Sequence, residues 1–132
     1  MLKPEMSIYL AIAVGGSCGA ISRYWMSNAT YSWLGNNFPY GTLMVNVTGS
    51  LVMGFLTVLL VQRFNVSEEV RLGLIVGFLG SFTTFSTFAL DTIHWYEGGA
   101  VIKTLSYILL SVVFSIIGAW AGMMTARQLF LR

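Results

Sequence analysis

Charge is what this chain has least of. Seven basic and five acidic residues make up 9% of its 132 residues, where soluble domains carry about 25%. The few charges fall mainly between apolar segments, and 56% of the residues are hydrophobic. That distribution belongs to an integral membrane protein whose solvent is a lipid bilayer. A net charge of +2 without a basic run excludes nucleic acid as a partner. Cysteine is nearly absent: Cys18 is alone, so an intrachain disulfide and a thiol metal site are excluded, and it reads as a small packing residue. The opening "MLKPEMSIYLAIAVGG" has no A-x-A-like cleavage site, so the first apolar segment is expected to persist. Paired carboxylates, a His/Cys cluster, a nucleophile–base pair and a phosphate loop are all missing. These absences argue against an enzyme.

What remains is a single domain over residues 1–132 with four stretches, each near the ~20 residues that cross a bilayer. They run from about Ser7 to Met26, Thr42 to Arg63, Glu68 to Tyr96 and Val101 to Ala126. The connections carry their own punctuation. "NATYSWLGNNFPYG" reads as a polar-aromatic loop, "RFNVSEEVR" as a charged turn with Ser67 capping the next helix, and "YEGGA" as a glycine hinge. Lys3, Arg63, Arg71, Arg127 and Arg132 lie on one side against Arg23 and Lys103 on the other, a bias that by itself favours termini facing the cytoplasm.

The third stretch is too long for one straight crossing. A continuous helix over 68–96 would measure roughly 43 Å at ~1.5 Å per residue, against a hydrocarbon core of ~30 Å. Its middle, "GFLGSFTTFSTFALD", carries Ser81, Thr83, Thr84, Ser86 and Thr87, whose side chains compete for backbone hydrogen bonds. The composition predicts a helix broken near Gly80 to Thr83. Backbone freed at that depth must be buried in protein or line a watery cavity, which points to an ion or substrate site. The plainer alternative is a set of small residues that ease helix packing.

The other helices carry polar faces of their own. Gly15, Gly19, Ser22 and Arg23 share one side of the first span; Arg23 either snorkels to the interface or is buried for function. Thr42, Asn46, Ser50 and Gly54 recur every four residues in the second, with Asn46 serving as interhelical glue or as a substrate contact. Tyr107, Ser111, Ser115, Gly118 and Gly122 fall on one side of the fourth, a packing face or a donor track. Asp91 is the lone acid deep in the spans, and His94 reads as interfacial. A neutral, donor-rich lining suits a dehydrated small ion.

"GGSCGAISRY", "GTLMVNVTGS" and "GFLGSFTTFSTF", in this order, resemble the Fluc (CrcB) family of fluoride channels over nearly the whole chain. Ser81 stands where that family often has glycine, and Asp91 where it often has glutamate. The resemblance implies an all-α, four-helix homodimer with its subunits inserted in opposite orientations, enclosing two fluoride pores. It implies a structural Na+ held by the main-chain carbonyls of Gly80 and Thr83. Fluoride would meet Phe85, Phe88 and the amide of Asn46, with Ser86, Thr87, Tyr107, Ser111 and Ser115 continuing the donor track. Arg23 and Thr42 are left as vestibule or structural residues, and Phe78 and Phe82 as packing. The implied role is passive fluoride export and fluoride resistance at a bacterial-type inner membrane, in a multi-pass protein.

Two other classes compete. A small multidrug-type proton antiporter needs a membrane-embedded carboxylate, usually in its first helix, and this first span has no acid after Glu5. An assembly subunit without transport activity would not require the polar stripes.

Overall fold

The computed structural model describes residues 4–130, all helix and connection with no strand among them. Lys3 and Arg132, counted above in the charge bias, lie outside the described residues. Four helical segments are long and apolar enough to cross a bilayer: Glu5–Leu34, Tyr40–Arg63, Glu68–Glu97 and Val101–Phe130. The protein is therefore an all-helical, multi-pass integral membrane protein.

The first helix, Pro4–Leu34, runs on through residues expected to be loop. Nothing in "NATYSWL" stops it: Thr30 and Ser32 return their hydroxyls to the carbonyls of Met26 and Ala29, so their polarity is satisfied along the helix. It ends where Gly35 takes a φ of 78°, a left-handed conformation that glycine adopts without a Cβ clash. Ser67 accepts the Val70 amide at the start of the third span, and the turn before the fourth closes on Gly99 at φ 77°.

Packing follows the small residues. The first helix lies against the first half of the third span, and the second lies along the fourth. A Cβ on Gly15 would overlap the Gly73 carbonyl, and one on Gly19 would overlap the Phe78 carbonyl. Across the second seam, Gly54 meets the Ala119 backbone and Gly122 the Leu51 carbonyl just as closely. Lipid tails are as apolar as leucine, so helices in a bilayer gain cohesion from this close approach more than from burying large side chains. Few large side chains are buried at all: Val45, Val58, Leu79 and Tyr107 form the enclosed core. Ile21, Ile102, Leu109 and Ile116 point outward, as a hydrocarbon surround allows.

Candidate functional site

Midway along the third span, Thr83 and Thr84 are extended (φ −81°, ψ 158° and φ −150°, ψ 116°) between helical Phe82 and Phe85. Gly80 is not the cause; its own backbone is helical, at φ −62° and ψ −33°. The second helix intervenes instead. Asn46 Oδ1 accepts the Thr84 amide at 2.7 Å, and Asn46 Nδ2 donates to the Thr84 carbonyl at 2.9 Å. The side-chain amide thus pairs with Thr84 as a neighbouring strand would. Gly49, one turn further along, leaves room for the Thr83 methyl, which a Cβ there would overlap.

The carbonyls of residues 80–83 lose their helical donors through this arrangement, Gly80 O and Thr83 O among them. In a continuous helix the Thr84 amide would reach Gly80 O and the Thr87 amide would reach Thr83 O. The first goes to Asn46, and the second goes to Thr84 Oγ1 at 3.1 Å, capping the helix Phe85–Glu97. Such a cap is worth ~1 kcal/mol, so the resumed helix begins on its own local support. Thr83 O accepts instead from Arg23 Nη1 at 3.3 Å. Arg23 is half-buried and turned inward to this carbonyl.

Beside the two extended residues runs an open groove of about 360 Å³, lined among others by Asn46, Thr83, Phe85, Phe88, Ser111 and Ser115. The Phe85 and Phe88 rings lie 5.4 Å apart at 42°, and Phe85 is 79% exposed. Ser111 Oγ is buried and has no hydrogen-bond partner among the described residues. Such an orphan hydroxyl costs about 1–3 kcal/mol wherever it is left unpaired, and it calls for an explanation.

The remaining candidates sit apart from the groove wall. Ser86 and Thr87 gather on the Thr84 hydroxyl, at 3.2 and 3.0 Å. Tyr107 is fully buried beside Phe88, ring centroids 5.2 Å apart, and donates its hydroxyl to Asp91 Oδ2 at 3.2 Å. Thr42 donates to the same oxygen at 2.7 Å. Asp91 is thus an acceptor for two buried hydroxyls. Phe78 and Phe82 stack on each other at 6.0 Å, away from the groove lining. His94 is exposed and packs edge-on to Trp95.

Sequence reasoning passed over Thr84, which links Asn46 to the helix cap. Its signal was present: a threonine three residues before Thr87, at the head of an apolar run, is a cap pattern.

The family model described as CrcB-like protein, Camphor Resistance (CrcB), matches residues 10–123. A protein named "Fluoride-specific ion channel FluC" from Methylococcus capsulatus is 50% identical over 119 residues, which are 90% of this chain and 52% of that relative. The chain therefore spans about half the length of that relative. Proteins of the same name from Hydrogenovibrio crunogenus and Geobacter sulfurreducens are 41% identical over 121 residues and 44% over 124. Those matches cover 92% and 94% of this chain, and 92% and 100% of the relatives.

Proposed function

The chain belongs to the CrcB family, which groups ion channels and not enzymes, and from that premise we propose that it is a fluoride-selective channel. The observation that carries this reading is the unpartnered Ser111 hydroxyl in a groove with Asn46, Phe85, Phe88 and Ser115. A buried donor with nothing to donate to is costly in an inert wall and useful in a pore. There it replaces part of an anion's hydration shell. The second amide hydrogen of Asn46, the one not given to Thr84, is a further donor. Ring edges of Phe85 and Phe88 are electropositive and complete an anion's surroundings without adding a proton acceptor.

The proposed assembly is a homodimer with antiparallel subunits and two pores. One chain leaves the groove open, Phe85 exposed, and Gly80 bare on the outer surface. Polar backbone and side chains facing hydrocarbon are costly, and a second copy of this face would cover them. Gly80 O and Thr83 O, both without their helical donors, fit a hard cation such as Na+, which takes oxygen ligands. Thr83 O already accepts from Arg23, so it would share its second lone pair. Bound to these carbonyls, such an ion would supply a fixed positive charge. Around it, this chain's residues hold the backbone open: Asn46 pins Thr84, and Thr84 caps the following helix.

Physiologically the channel is passive. Hydrogen fluoride crosses a membrane uncharged and dissociates in a less acidic cytoplasm; the channel lets the trapped anion leave down its electrochemical gradient. Residence in a bacterial-type inner membrane follows from that role. The test is efflux from liposomes carrying the purified protein. Fluoride should leave faster than chloride by orders of magnitude, without a proton gradient; equal rates, or strict proton dependence, would remove the proposal.

A second measurement addresses the rings. Phe85→Ile and Phe88→Ile keep apolar bulk and remove the electropositive ring edge that would face the anion. Each single variant should therefore conduct fluoride more slowly while eluting as the parent assembly does. If both match the parent, the rings serve packing alone.

A further inference from the structure

Lys103 stands in the first turn of the fourth span, and Tyr107, Ser111 and Ser115 follow it at steps of four residues. Residues four apart are neighbours on a helix surface, so the lysine stands one turn before Tyr107, about 6 Å along the axis at ~1.5 Å per residue. Exposed lysines usually rove. This one is held twice: its ammonium donates to the Asn37 carbonyl at 3.3 Å and lies 4.9 Å from the centre of the Trp95 ring. Neither contact neutralises it. A carbonyl and an aromatic face stabilise a cation while leaving its charge in place.

The surroundings connect this charge to Tyr107, which precedes the groove-lining Ser111 and Ser115 on the same helix. Phe38, next to Asn37, meets the Tyr107 ring edge-on at 5.7 Å. The loop over 35–39, the lysine and Tyr107 therefore form one cluster. The acids at this end are Asp91, whose carboxylate accepts from Thr42 and Tyr107, and Glu97, exposed at the last turn of the third span. Neither forms an ion pair with Lys103; the ion pair among the described residues joins Arg71 to Glu68.

We propose that Lys103 is a fixed cation that concentrates fluoride at this mouth of the pore, a role that rests on the channel reading above. A positive charge at a low-dielectric opening raises the local concentration of the permeating anion, and salt screens it. The mechanism therefore carries its own signature. Its effect must fade as ionic strength rises, whereas a lysine that merely clasps the loop, or snorkels to the headgroups, would act equally at any salt.

The experiment uses Lys103→Cys in a Cys18→Ser background, reconstituted and assayed for fluoride flux beside the parent. Flux should fall about tenfold at an ionic strength of ~0.01 M and less than about twofold at ~1 M, where the screening length shrinks from ~30 Å to ~3 Å. A trimethylammonium-bearing methanethiosulfonate, applied from both sides, should restore flux; a sulfonate-bearing one should lower it further. A loss that is equal at both ionic strengths, or two reagents acting alike, overturns the proposal. If the cysteine variant does not fold, Lys103→Gln against Lys103→Arg reads the same contrast, and equal flux from that pair overturns it too. The parent separates the two failures: a parent that passes no fluoride retires the channel reading itself, whereas a conducting parent with salt-independent variants retires only the role of Lys103.

Discussion

Asn46→Asp is expected to abolish fluoride flux. The substitution is nearly isosteric and keeps an oxygen to accept the Thr84 amide, now bonded at 2.7 Å. What changes is the other half of the group. The amide nitrogen that donates to the Thr84 carbonyl at 2.9 Å becomes an oxygen facing an oxygen, and both amide hydrogens vanish. A carboxylate also brings a negative charge to the groove wall. Two like charges 4 Å apart repel by ~4 kcal/mol at an effective dielectric of 20, which corresponds to roughly a thousandfold in flux. Asn46→Ala provides the comparison, since it removes the pairing with Thr84 and adds no charge. It should weaken the assembly more and repel the anion less. Fluoride efflux and elution volume, measured for both variants, separate the two roles; an Asn46→Asp protein conducting within about twofold of the parent would leave Asn46 as structural glue only.

The origin of the Thr83–Thr84 geometry shows what could be read from sequence and what could not. Four helices were legible because apolar length and charge placement are local properties of the chain, and family membership was legible because three motifs occur in order. The over-long third span also pointed to the neighbourhood of Gly80 to Thr83. The agent was hidden, however. Gly80 stays helical, and the geometry depends on a side chain 38 residues away in sequence, Asn46, pairing with Thr84. Period and propensity carry no information about such a contact. The same applies to Asp91: nothing in its neighbourhood on the chain announces that Thr42 and Tyr107, from two other helices, both donate to one of its oxygens. Arg23 was ambiguous for a related reason. Whether it snorkels or turns inward depends on the carbonyl available to it, and that carbonyl exists because Thr83 leaves the helix. The length of the first helix was misjudged through composition, since residues that look like a loop are satisfied by back-bonded hydroxyls.

Gly80→Val is expected to leave each chain folded and to prevent two chains from joining. Within one subunit the position is permissive. Its backbone is helical, with no positive φ to defend, and a Cβ would meet only the Ile75 carbonyl at 3.7 Å, an ordinary contact. Contrast Gly15 or Gly19, where a Cβ would overlap neighbouring backbone in the same chain and damage the monomer itself. Valine is also a slightly better helical residue than glycine, by a few tenths of a kcal/mol, so local propensity does not oppose the substitution. A severe phenotype would therefore have to come from something outside the single chain, and the proposed partner is a second copy whose Gly80 and Thr83 approach the same axis. Thr83→Ser supplies the opposite expectation: its carbonyl and hydroxyl remain, so assembly and flux should stay near the parent's. Mass measurement in detergent, with fluoride efflux in sodium-containing and sodium-free media, distinguishes the outcomes. A Gly80→Val protein that still dimerises and conducts would place this face of the third span against lipid. Neither a close subunit axis nor a shared cation could then pass through residue 80, and the carbonyl of Gly80 would need another partner, whereas Thr83 O keeps Arg23.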